Sequence, residues 1–90
     1  MAAEPDPRRE AVALRYDQSR EHAPRVVAKG RGSVAERLLA LAREHQVPLW
    51  EDRDLVKLLG VLELDAEVPP AMYAALAEVL ARIYRLNAAP

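Results

Sequence analysis

Residues 23–32 read Ala-Pro-Arg-Val-Val-Ala-Lys-Gly-Arg-Gly, a short apolar run ending in a basic turn with two glycines, and Ser33 and Glu36 follow with the spacing of a capping box. This order of signals takes a chain from a strand, round a tight corner, into a helix. Gly30 and Gly32 supply the positive φ that such a corner asks for. Val34, Leu38, Leu41 and Ala42 then give the helix one buried stripe at i, i+4, i+7 and i+8.

The flanking segments extend the pattern. Upstream, Val12, Leu14 and Tyr16 alternate with Ala11, Ala13 and Arg15, the period of a strand whose second face is small enough to accept a helix at close range. Residues 17–24 are polar and end in a proline, as suits a surface connection between paired strands. Downstream, Pro48 stops the helix near Gln46, and residues 49–51 are expected to form a third strand in which Trp50 is a half-buried packing residue. Strand, helix and strand then make a right-handed βαβ unit with parallel strands, while the first strand pairs antiparallel. Asp52 or Asp54 caps a second helix that turns Leu55, Leu58, Leu59 and Leu62 inward, with Gly60 a weak point of about 1 kcal/mol relative to alanine. Pro70 suits the first position of a last helix, whose inward residues are Met72, Leu76, Val79, Leu80 and Ile83, flanked by Tyr73, Ala77 and Tyr84. The expected fold is α/β: a small single domain over residues 10–87, with a mixed three-stranded sheet packed by three helices. It follows a disordered tail, 1–9, that holds two prolines and four charges.

Composition removes several function classes. Ninety residues support one modest core. Thirteen basic against fourteen acidic residues leave a net charge of −1, which provides no overall field for a polyanion. The chain has no cysteine, hence no disulfide, thiolate metal site or cysteine nucleophile. His22 and His45 lack ligand spacing and suit solvated or capping roles, so neither a metal nor a cofactor is expected. Glu51, Asp52 and Asp54 cluster where acidic groups favour a helix N-terminus, and without a partner base they support no hydrolytic chemistry. No apolar run approaches the roughly 18 residues of a membrane helix, so a soluble cytoplasmic protein is expected. Lys29-Gly30-Arg31-Gly32 precedes a helix N-terminus but fits neither phosphate-binding glycine motif. It is expected to be a structural corner, with a small nucleic-acid-binding domain using Arg25, Lys29 and Arg31 as the alternative function.

Four blocks, taken in order, carry a resemblance: residues 11–17 (Ala-Val-Ala-Leu-Arg-Tyr-Asp), 23–30, Glu-His-Gln-Val-Pro at 44–48, and Val-Pro-Pro-Ala-Met-Tyr-Ala-Ala-Leu-Ala-Glu-Val-Leu at 68–80. The chain resembles the cytoplasmic C-terminal domain of the FlhB and YscU type III export family over about residues 11–86. The resemblance implies a domain that helps select export substrates, switching from rod and hook proteins to filament proteins. With no membrane part and a start at Met1, the chain is similar to the family's stand-alone homologues. The implied location is cytoplasmic, at the periphery of the membrane export gate. The implied partners are flagellar or type III export substrates and export-apparatus proteins, including a full-length FlhB-type protein.

Two departures from the family matter. The family's Asn-Pro-Thr-His turn, where the asparagine amide cuts its own Asn-Pro bond, corresponds here to Asp6, Pro7, Arg8 and Arg9, of which only the proline is kept. No autocleavage and no enzymatic activity are therefore expected. The family also places a β-branched strand just upstream of that turn, which residues 1–5 cannot supply. The sheet should have one strand fewer and present an unpaired edge to which a partner strand adds. The resemblance further implies a shallow apolar docking pocket formed by Ala23, Pro24, Ala77 and Leu80; Leu80 also lies on the helix stripe, so core packing is the competing reading for it.

Overall fold

The computed structural model of the chain describes residues 7–16 and 23–88, with side chains described as far as Arg82. Two strands, β1 (Glu10–Arg15) and β2 (Arg25–Arg31), are followed by helices α1 (Ser33–Glu44) and α2 (Arg53–Gly60). A 3-10 turn (Pro70–Met72) then runs directly into α3 (Tyr73–Ala88).

The strands pair antiparallel, as expected, from Glu10 opposite Arg31 to Ala13 opposite Ala28. There the register slips, so that Leu14 faces Val26 and Val27 is left as the extra residue of a bulge. The bulge has a packing consequence. It brings Val26 and Lys29 to the same face as Val12 and Leu14, because residues directly opposite share a face. On this face lies the core: Leu55 and Leu59 of α2, Val68, and Leu76 and Val79 of α3 are buried, with Val12, Leu14, Leu62, Met72 and Leu80 packed against them.

The opposite face is built from Ala11, Ala13, Ala28 and Gly30, and α1 sits on it. Ala35 of α1 is completely buried. This seat differs from the expected one. Val34 and Leu41 are about half exposed, and the inward residues are Ala35, Leu38, Leu39 and Ala42. They also recur at helical spacing, but the stripe is rotated so that Ala35 is the residue buried completely on the Ala and Gly surface. Gly30 likewise acts through close approach rather than positive φ, which of these two glycines Gly32 alone adopts (φ 55°).

The corner into α1 is capped differently from the capping box. Gly32 is the N-cap and no side chain caps the helix; Ser33 is already helical, and the Glu36 carboxylate turns to Arg9. The helix ends at Glu44, with Gln46 at φ 58° and the Val47 N–H donating to the Ala42 carbonyl at 2.8 Å.

That closing bond bears on the third strand. Residues 49–51 are not a strand, and no parallel βαβ unit forms among the described residues. Pro48 has no N–H to give and Val47 has spent its own, which leaves a three-residue segment too short to hold a ladder. Instead, residues 65–68 run along the free side of β2. Val26 N–H donates to the Ala66 carbonyl (3.0 Å), Asp65 N–H to the Val26 carbonyl (2.8 Å) and Val68 N–H to the Pro24 carbonyl (2.8 Å). The small α/β domain with three helices holds; its third extended segment is antiparallel and comes later in the chain.

Asp52, rather than Asp54, caps α2, its Oδ1 accepting the Leu55 N–H at 3.0 Å. Replacing Asp52 with alanine is expected to cost about 1 kcal/mol, read as a lowered urea midpoint with an unchanged slope. Gly60 closes α2 instead of weakening its interior. Leu58, expected inward, is 40% exposed. The backbone of α3 extends through Ala88, whereas the inward position assigned to Ile83 and the flanking one assigned to Tyr84 lie outside the described side chains.

Candidate functional site

Three groups of residues were singled out by the sequence, and the structure treats them differently. The first is the turn at Asp6, Pro7, Arg8 and Arg9. Asp6 and the expected strandless segment 1–5 lie outside the described residues; Pro7 and Arg8 form an exposed turn. Arg9 is fastened to the fold. Its carbonyl accepts the Gly32 N–H at 2.8 Å, its Nε lies 3.3 Å from Glu36 Oε1, and its Nη2 lies 3.9 Å from Glu51 Oε1. The chain entering β1 is thus held against the first turn of α1 and against the linker into α2. Chemically, Arg8 and Arg9 offer N–H donors and no acceptor to a reaction at this turn.

The second group is the basic corner. Arg25 donates to the Asp65 carbonyl and pairs with Glu67 at 3.1 Å, fastening the 65–68 segment to β2. Lys29 Nζ donates to the carbonyls of Leu62 (2.6 Å) and Gly60 (3.3 Å), where a cation suits the C-terminal end of α2. Arg31, largely exposed, lies 3.8 Å from Glu10. These cations close the fold's own seams, and nothing in their arrangement supports the nucleic-acid alternative. Among the described residues no three His, Asp or Glu side chains come together where they could hold a metal ion.

The third group is the apolar quartet. Ala23 is 3% exposed and Pro24 is buried, whereas Ala77 is exposed and Leu80 is half-buried against the core. Val68 links the two halves: its N–H donates to the Pro24 carbonyl, and its side chain packs in the cluster that contains Leu76 and Val79. The sequence did not point to the 65–68 segment that makes this link. The available signal was Arg25, a cation at the start of β2 that needed an acidic partner and found it in Glu67.

Two further surfaces stand out. Within the sheet, β1 pairs with β2 and, among the described residues, with no other strand. The linker after α1 exposes Val47, Leu49 and Trp50, with the Arg82 guanidinium 5.2 Å from the centre of the Trp50 ring. Trp50 therefore packs under a cation from α3, not in a strand. Among the described residues no helix is long and apolar enough to cross a membrane.

With this geometry in place, the comparisons with known proteins converge. The family described as FlhB HrpN YscU SpaS matches residues 5–83. The chain is 44% identical over 84 residues to the uncharacterized protein YlqH of Bacillus subtilis (strain 168), covering 93% of this chain and 90% of that protein. It is also 44% identical over 83 residues to the flagellar biosynthetic protein FlhB of Yersinia enterocolitica, but this spans 91% of the chain and only 22% of FlhB. The crystal structure of the cytoplasmic domain of FlhB from Shewanella putrefaciens superposes with a TM-score of 0.81 at 33% identity, covering 87% of this chain and 64% of that one. The PscU C-terminal domain superposes with a TM-score of 0.77 at 27% identity, covering 82% and 95%. The α/β core, with α1 on the small face of the strand pair and α2 and α3 on its apolar face, is therefore an export-apparatus fold, and the chain belongs to the FlhB HrpN YscU SpaS family of flagellar and type III protein export.

Proposed function

We propose that this protein is a non-enzymatic component of flagellar or type III protein export, acting in the cytoplasm at the export gate by binding export substrates or export-gate proteins. The observation that carries this reading is the match of residues 5–83 to an export family, together with superposition on a cytoplasmic FlhB domain. The chemistry of the Asp6–Arg9 turn supports the non-enzymatic part. A carboxylate at Asp6 that adds to its own carbonyl is, at neutral pH, expelled again more readily than the unprotonated prolyl nitrogen, so the Asp6–Pro7 bond survives, and the two arginines offer only N–H donors. The intact protein is expected to keep its full mass after days at neutral pH. A product that has lost its first six residues and begins at Pro7, seen by mass spectrometry, would overturn this.

Binding in this reading uses two surfaces. One is the apolar quartet, in which exposed Ala77 and half-buried Leu80 meet the partner while buried Ala23 and Pro24 shape the floor beneath. The other is the outer edge of β1, where an extended segment of a full-length FlhB-type protein or an export substrate adds as a further strand through main-chain hydrogen bonds. Adding the purified cytoplasmic part of such a partner should slow hydrogen exchange of the amides between Ala11 and Leu14. Binding without any slowing there would remove the edge from the proposal and leave the quartet, whereas failure to bind any export substrate or gate protein would remove the reading itself.

A further inference from the structure

We draw no further inference here: the strongest candidate, the exposed apolar patch formed by Val47, Leu49 and Trp50 in the linker between α1 and α2, carries nothing because nothing in the structure shows what covers it.

Discussion

Gly30→Val is expected to lower the stability of the domain by about 3 kcal/mol, although strand propensity alone argues for a gain of up to about 1 kcal/mol at that position. Gly30 lies inside β2 opposite Ala11, on the face that carries α1. A Cβ added there would stand 2.2 Å from Val34 Cγ1 and 2.8 Å from Val34 Cβ. Rotating the valine relieves the first contact and leaves the second, because Cβ is fixed to the helix backbone. The helix must therefore lift from the sheet, uncovering Ala35 and loosening the Gly32 N–H bond to the Arg9 carbonyl. Single domains are stable by only about 5–15 kcal/mol, so the loss is a large share of the total and should move the urea midpoint by about 2 M. The mechanism has its own check in the pair Gly30→Val and Val34→Gly. Removing the Val34 side chain frees both close contacts at a helix-propensity cost of only about 0.4 kcal/mol relative to valine, so the double variant should recover part of the lost stability, a coupling that two independent sites would not show. A midpoint for Gly30→Val at or above that of the unsubstituted protein would mean that α1 is not seated on this glycine.

Much of this architecture was legible in the residues, and the misses share a cause. The alternation of Val12 and Leu14 with Ala11 and Ala13 assigned both faces of β1 correctly, because a period of two leaves only two choices and the residue sizes on them differ. A helix stripe has no such restriction. On α1, Val34 and Leu41 look like natural core residues by hydrophobicity, but the Ala and Gly surface takes Ala35 as the fully buried contact and leaves Val34 and Leu41 about half exposed. Position along the chain misled in the same way for the third extended segment. Residues 49–51 have strand-like composition, yet the helix-terminating bond at Val47 and the missing N–H of Pro48 prevent a ladder, while the unremarkable 65–68 run gains one through Asp65 at φ 67° and the Arg25 clamp. Contacts between residues about 40 positions apart, such as Arg25 with Glu67, follow no local pattern. The candidate binding residues were legible as residue types through the family resemblance, but their burial was not, and burial decides how each must be tested.

Ala23→Asp and Ala77→Asp are accordingly expected to fail in opposite ways. Ala23 is 3% exposed, and no polar or charged side chain is buried among the described residues, so nothing nearby is arranged to receive a carboxylate. Burying one there should cost about 3–5 kcal/mol, or force the strand entry at Pro24 to open and give up its bond with Val68. Circular dichroism should show a partly or wholly unfolded chain, and any loss of partner binding by that variant says nothing about contact. Ala77 is exposed on α3, one residue beyond buried Leu76 and three before Leu80. Aspartate there gives up about 0.7 kcal/mol of helix propensity and little else, so the fold should persist with a midpoint close to that of the unsubstituted protein. Placed in an apolar contact, however, the same carboxylate loses its hydration to the partner, and affinity for a purified flagellar export substrate should drop at least about tenfold, or about 1.4 kcal/mol. Isothermal titration at two salt concentrations separates this from a long-range charge effect, because only the latter fades as salt is raised. Unchanged affinity in a folded Ala77→Asp protein would move the docking surface away from α3 and leave the outer edge of β1 as the contact to be tested next.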